Sequence, residues 1–135
     1  MFTLTSVLEG CLKNTKGALG VAVVDLHTGL LIEVAHNIPY FTETYLDAVA
    51  AAAVDMFRGK AVTAVEKALT GLRGTRVKDM IQEAQISTEA THHFMATFPT
   101  KPNLLAILIT GRQMDLNSGW TTVRAVLRDA APHCP

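Results

Sequence analysis

The stretch GVAVVDLHTGLLIEV, residues 20–34, constrains the fold more than any other part of the chain. It holds two short β-type runs joined by the turn signal Asp-Leu-His-Thr-Gly. Both runs are apolar on both alternations. In the first, Val21 and Val23 share one face while Ala22, Val24 and Leu26 share the other; in the second, Leu30, Ile32 and Val34 alternate with an apolar neighbour, Leu31. Successive side chains of a strand point to opposite faces, so such a hairpin presents apolar surface on both sides and needs cover on both. The chain must therefore fold around a sheet with packed layers above and below.

The remaining segments supply the cover. Leu4, Val7, Leu8, Cys11 and Leu12 recur at helical spacing, Ser6 and Glu9 stand in capping-box register, and Gly17 ends the pattern. After a loop with Asn37 and Pro39, TYLDAVAAAAVDMFR reads as a helix, with Thr44 and Asp47 in capping-box register. Wound at 100° per residue, its polar residues Asp47, Asp55 and Arg58 fall on one narrow stripe, and the rest is apolar, much of it alanine. A helix that apolar is buried on more than one side, and a small domain has little to offer as a second layer. A second copy of the protein is the expected cover.

The pattern continues through Ala61, Val62, Val65, Ala68 and Leu69 towards Gly71 and Gly74. Gly59 in its middle costs about 1 kcal/mol relative to Ala, so this is one helix with a weak joint, or two. RVKDMIQEAQIS fits a helix as well as a strand, since Val77, Met80, Ile81 and Ala84 suit both. THHFMATF and LLAILITG are compact β-type runs separated by PTKPN. Leu116, Trp120, Val123 and Leu127 make a closing helical stripe, with Asn117 or Ser118 as cap and Pro132 as stop. The order is helix, two strands, long helix, three strands of which the first could also be helical, helix. It predicts an α+β fold in which a single antiparallel sheet lies between two helical layers, with residues 1–135 as one domain whose core can carry the fold alone.

Composition narrows the function. Twelve Lys and Arg balance twelve Asp and Glu, which removes the electrostatic case for a nucleic-acid groove or an anionic membrane surface. Cys11 and Cys134 lie far apart without C-x-x-C spacing and read as free thiols of a reducing compartment. MFTLTSVLEG has neither a basic n-region nor an apolar h-region, and the longest apolar runs, Ala48 to Val54 and Leu104 to Ile109, fall short of the ~20 residues that span a bilayer. A soluble cytoplasmic protein is expected.

No catalytic pattern emerges. Asp-Leu-His-Thr-Gly resembles the first phosphate loop of the actin and sugar-kinase superfamily. Those enzymes also need a second phosphate loop and two large lobes, for which this chain has no room. As a plain turn, Asp25 supplies a side-chain acceptor and Gly29 a positive φ. His92 and His93 are adjacent in a strand and point to opposite faces, so they do not close on one ion, and His27, His36 and His133 have no ligand at metal spacing. Phosphate-loop, dinucleotide, zincin and nucleophile-elbow motifs are all missing. Cys11 lies on an apolar helical stripe, as a small core residue does, and Trp120, Phe94 and Phe98 read as core. No catalytic residue, metal or cofactor is expected, and the chain is read as no enzyme.

In element order and in two stretches the chain resembles the roadblock family of dynein light chains and their bacterial relatives, small proteins that accompany Ras-like GTPases. GVAVVDLHTGLLIEV matches the family's hairpin, which ends in Asp and turns at Gly. ITGRQMDLNSGWTTVRAVL matches its passage from the last strand through an Asn-containing cap into a helix with an Arg, here Asn117 and Arg124. MIQEAQISTEATHHFMATF fits its third and fourth strands, which implies a strand at Met80.

The resemblance implies a five-stranded antiparallel sheet, with the first and last helices on one face and the long second helix on the other. It also implies a homodimer in which second helices pack together and third strands pair into one continuous sheet. Val49, Ala50, Ala53 and Phe57 are then the candidate helix contacts. The segment from Val77 to Ile86, with Met80, Gln82 and Ala84, is the candidate edge. A large charged residue at Ala53 would break such a dimer. The stretch from Lys60 to Thr75 is longer than the family's usual connection, so it extends the second helix or covers the surface used for partners. The expected role is that of a non-catalytic homodimeric regulator or scaffold of a small GTPase or of a signalling or motility complex. The alternative is a sensory module enclosing a small molecule, which requires a cavity with convergent polar groups.

Overall fold

The first run of the 20–34 hairpin and the run LLAILITG lie side by side in the middle of a sheet, and the second run of the hairpin lies at its edge. The computed structural model describes residues 2–135. In chain order these form α1 (Leu4–Asn14), β1 (Ala18–Asp25), β2 (Leu31–His36), α2 (Glu43–Arg58), α3 (Lys60–Arg73), β3 (Glu83–Ser87), β4 (Thr91–Phe98), β5 (Lys101–Gly111) and α4 (Leu116–Ala130), followed by a 3-10 turn at Ala131–His133. The strands make one antiparallel sheet in the order β2-β1-β5-β4-β3. β1 and β5, apolar on both faces, sit inside it.

Alternation sorts the core into two layers. Leu8 of α1 and Val123 and Val126 of α4 meet Val21, Val23, Phe94, Phe98 and Leu108, so the first and last helices share one face. On the other face Leu46, Ala50, Ala53 and Phe57 of α2 meet Val24, Leu26, Met95, Leu105 and Ile107. This is the α+β arrangement the element order predicts. No helix among the described residues is long and apolar enough to cross a membrane.

Three local expectations are corrected and one left open is settled. In β2, Val23 pairs with Glu33 and Val24 with Leu31, leaving Ile32 as a bulge. The extra residue shifts the phase of the strand, so Ile32 packs in the α1 layer while Leu31 and Val34 join the α2 layer and Leu30 is exposed. The helix caps lie earlier than Ser6, Thr44 and Asn117 or Ser118. Thr3 caps α1, its hydroxyl accepting from Ser6 N–H at 3.1 Å; Thr42 caps α2 through Tyr45 N–H at 3.2 Å; and Asp115 caps α4 through Ser118 N–H at 3.1 Å. Each first turn contains a Ser, Thr or Asn that fits a cap by type, and only the backbone conformation separates cap from first turn.

The long helical pattern is two helices. Gly59 is the last cap of α2 and the first of α3, with ψ at 174°, and a Cβ on it would overlap the Asp55 carbonyl oxygen. Finally, Met80 is not in a strand. Only Glu83–Ser87 joins the sheet, and residues 74–82 form a strap held against α3.

Candidate interaction surface

The groups that invited a chemical reading are satisfied locally. Asp25 Oδ1 accepts the N–H of His27 at 2.8 Å and of Thr28 at 3.3 Å, and Gly29, at φ +78°, donates to the Asp25 carbonyl at 2.8 Å. Carboxylate and glycine are both used in closing the hairpin. His92 is buried edge-on to Phe94, with Nδ1 2.6 Å from Ser87 Oγ. The same hydroxyl accepts the Gln85 amide at 2.8 Å, so this Ser–His contact is one link in a clasp between β3 and β4. His93 is half-buried on the opposite face, Nε2 3.0 Å from Thr91 Oγ1. Burial, with His92 beside it, lowers its pKa from the ordinary 6.5.

Among the described residues no three His, Cys, Asp or Glu side chains are placed to hold a metal. Both cysteines are free. Burial pushes the Cys11 thiol up in pKa, which suppresses the thiolate that a nucleophile needs.

What α2 leaves uncovered is a surface. Leu46, Ala50, Ala53 and Phe57 follow i, i+4, i+7, i+11 spacing, and this stripe is spent on the chain's own sheet: Ala50 is 1% exposed, Ala53 and Phe57 0%. Ala50, Ala53 and Phe57 are therefore core, and of the expected helix contacts only Val49 lies at the border of the outward side. Besides Glu43 in the first turn, the exposed residues are Thr44, Asp47, Ala48, Ala51, Ala52 and Asp55, with half-buried Tyr45, Val49 and Met56 alongside. The sequence carried a signal for this phase. The bulkiest apolar residues, Leu46 and Phe57, share the inward stripe, whereas the outward side has Ala48, Ala51 and Ala52 among Thr44, Asp47 and Asp55.

At one edge of the sheet, β3 pairs only with β4. Thr97 N–H donates to the Gln82 carbonyl at 2.9 Å. Opposed residues of an antiparallel pair alternate between bonded and non-bonded. In the observed register the backbone groups of Gln82, Ala84 and Ile86 thus turn to β4, and those of Glu83, Gln85 and Ser87 turn to the free edge. Of the expected edge residues, Met80 lies in the strap, its N–H donating to Glu66 at 2.8 Å; Gln82 precedes the strand, exposed; and Ala84 packs into the α2 layer. No sequence pattern marks this register, because it depends on the partner strand.

Two arginines position the edge. Arg58, at the end of α2, donates to the Pro102 carbonyl at 2.7 Å and to Asn103 Oδ1 at 3.2 Å. Its Nε lies 3.2 Å from the Asp79 carboxylate, off the hydrogen-bond direction, an ion pair that anchors the strap. Arg124 of α4 stacks over Trp120 at 5.2 Å and reaches Glu83 at 3.1 Å.

No protein-family model matches the chain, and no curated protein matches it. Solved structures do. A Roadblock/LC7 domain from Streptomyces avermitilis superimposes with a TM-score of 0.69 at 15% identity, covering 98% of each chain. MglB of Myxococcus xanthus gives 0.61 at 16% identity, over 96% of this chain and 89% of that one. The gliding protein MglB of Thermus thermophilus gives 0.60 at 20% identity, over 93% and 87%. At these identities the likeness is one of fold: the chain has the roadblock/LC7 fold.

Proposed function

We propose that this chain, built on the roadblock/LC7 fold, is a non-catalytic homodimer that regulates or scaffolds a small Ras-like GTPase or a signalling or motility complex. One observation carries the dimer: the outward side of α2 presents exposed Ala48, Ala51 and Ala52 while β3 leaves a strand edge with unpaired backbone groups. A two-fold axis would cover both at once, helix face on helix face and Glu83, Gln85 and Ser87 on their counterparts, and it would remove an edge that otherwise invites aggregation. The partner class is what the roadblock resemblance implies, and a gliding protein among the structures of this fold supports the motility setting. The chain would act by shape. Arg124 is engaged by Trp120 and Glu83, which argues against its use as an arginine in trans, and any stimulation of hydrolysis would work by ordering the GTPase's own residues.

The test is binding of purified Ras-like GTPases, loaded with GDP or a non-hydrolysable GTP analogue, to the immobilised protein. The expected result is nucleotide-dependent binding that is lost with Ala52→Glu. Absence of binding to every GTPase in either state would contradict the proposal. The sensory alternative has less room: the space between α2 and the sheet is about 10 Å³ and apolar. A small molecule would have to lodge in one of two open grooves, of about 770 Å³ between α1 and α4 or of about 670 Å³ beside Arg58, Glu83 and Arg124, and native mass spectrometry of the purified protein would reveal it.

A further inference from the structure

The groove of about 670 Å³ runs between the second half of α4, the turn from β4 to β5 and the start of β3. Its size is that of a small-molecule site. Pro99, Pro102 and Leu127 give it apolar walls, and its charged lining is unequal: Arg58, Arg124 and Arg128 against Asp79 and Glu83. Both acids are taken, Asp79 lying 3.2 Å from Arg58 and Glu83 3.1 Å from Arg124. The guanidinium groups are not used up to the same extent. Each carries five N–H donors. Arg124 bonds Glu83 through Nη2 alone, and Arg128 bonds Asp129, which lies outside this lining, through Nε and Nη2. Among the described residues, Nε and Nη1 of Arg124 and Nη1 of Arg128 are thus left over.

Resting on the small-molecule reading above and independent of the dimer, we infer that this groove binds a small organic anion. Its carboxylate or phosphate head lies between Arg124 and Arg128, and its hydrocarbon body lies against Pro99, Pro102 and Leu127. The two arginines stand four residues apart on α4, about 6 Å along its axis, on one side of the helix. A guanidinium fork matches a carboxylate or phosphate two oxygens at a time. A cation would find no acid in the lining that lacks its arginine, and a neutral molecule would leave the surplus donors to water.

Arg124 needs no release for this. Its stack on Trp120 at 5.2 Å and its bond to Glu83 hold the guanidinium in place, so its remaining donors are positioned before the anion arrives. The groove between α1 and α4 has no such surplus. The side chains charged at neutral pH in its lining are Arg128 and Asp129, which pair with each other at 3.0 Å.

Trp120 is the chain's single tryptophan and reports on Arg124. The test titrates the purified protein with hexyl phosphate, hexanoate, inorganic phosphate and hexanol, following Trp120 fluorescence and the arginine Nε–H resonances. Both alkyl anions are expected to give saturable changes, and the tighter of them identifies the head group. Inorganic phosphate, which has the charge without the hydrocarbon, should bind about tenfold more weakly or less, and hexanol should give no change. Arg124→Gln and Arg128→Gln should each weaken the alkyl anions about tenfold, while Arg112→Gln, outside the groove, should leave them unchanged. No change in either signal at millimolar anion overturns the site, as does hexanol binding as well as the anions, or Arg112→Gln weakening them as much as the groove variants. Weakening by Arg128→Gln alone puts the anion in the groove between α1 and α4, which overturns this site and leaves the small-molecule reading standing.

Discussion

Gly119 shows how a single residue can encode packing that no apolar pattern displays. It lies within α4, where glycine is a poor helix former, because a Cβ there would run into the Phe94 ring. Gly119→Ala therefore runs against propensity: instead of gaining ~1 kcal/mol, it is expected to destabilise by about 1–3 kcal/mol through overpacking, read from urea unfolding. The helix itself was legible from Leu116, Trp120, Val123 and Leu127. Its buried side was legible in part: Val123 is buried with Trp120 and Leu127 packed against the same core, whereas Gly119, Val126 and Ala130 are buried without a mark in the pattern and Leu116 is exposed. Bulk normally marks the inward face, and here an aromatic ring needed a hole.

His93 carries a pH prediction at the same scale. Its folded pKa lies below the ordinary 6.5 because burial disfavours the imidazolium. The unfolded chain then binds more protons, so the contribution is complete above about pH 6.5 and is lost as pH falls towards the lowered value. Thermal melts from about pH 7.5 to about pH 5 should show this acid-side loss, and His93→Gln should flatten it.

Among the elements, those read correctly from sequence are those whose partners lie on both faces. β1, β4 and β5 alternate into two cores, and the surrounding order of helices follows from covering them. The strap and β3 were obscure because Glu66, Thr70 and Arg58, all distant in sequence, hold them. Arg58→Ala removes the bonds to Pro102 and Asn103 and leaves Asp79 without its cation. It is expected to cost about 1–3 kcal/mol and to raise amide exchange across residues 74–87. A second prediction concerns the edge. The amides of Glu83, Gln85 and Ser87 should exchange rapidly in dilute protein and become protected as concentration rises. Those of Ala84 and Ile86, bonded to β4, should be protected throughout.

For the whole molecule, the proposed dimer separates two neighbouring alanines. Ala53 is 0% exposed and part of the core, whereas Ala52 is exposed on the outward face of α2. Ala53→Glu buries an unpaired charge in the chain's own core and should abolish cooperative unfolding. Ala52→Glu should keep a folded chain, by circular dichroism, and dissociate the dimer. The alanine-rich composition of α2 was enough to expect a surface for another chain. Which alanines belong to it was a question of helical phase, answered by the bulk of Leu46 and Phe57 on the inward stripe. The most direct measurement is the solution mass by light scattering during size-exclusion chromatography, from high to low micromolar loading. A homodimer predicts twice the 14.5 kDa of the chain for the natural protein and a single chain mass for Ala52→Glu. A single chain mass for the natural protein at every loading would contradict it.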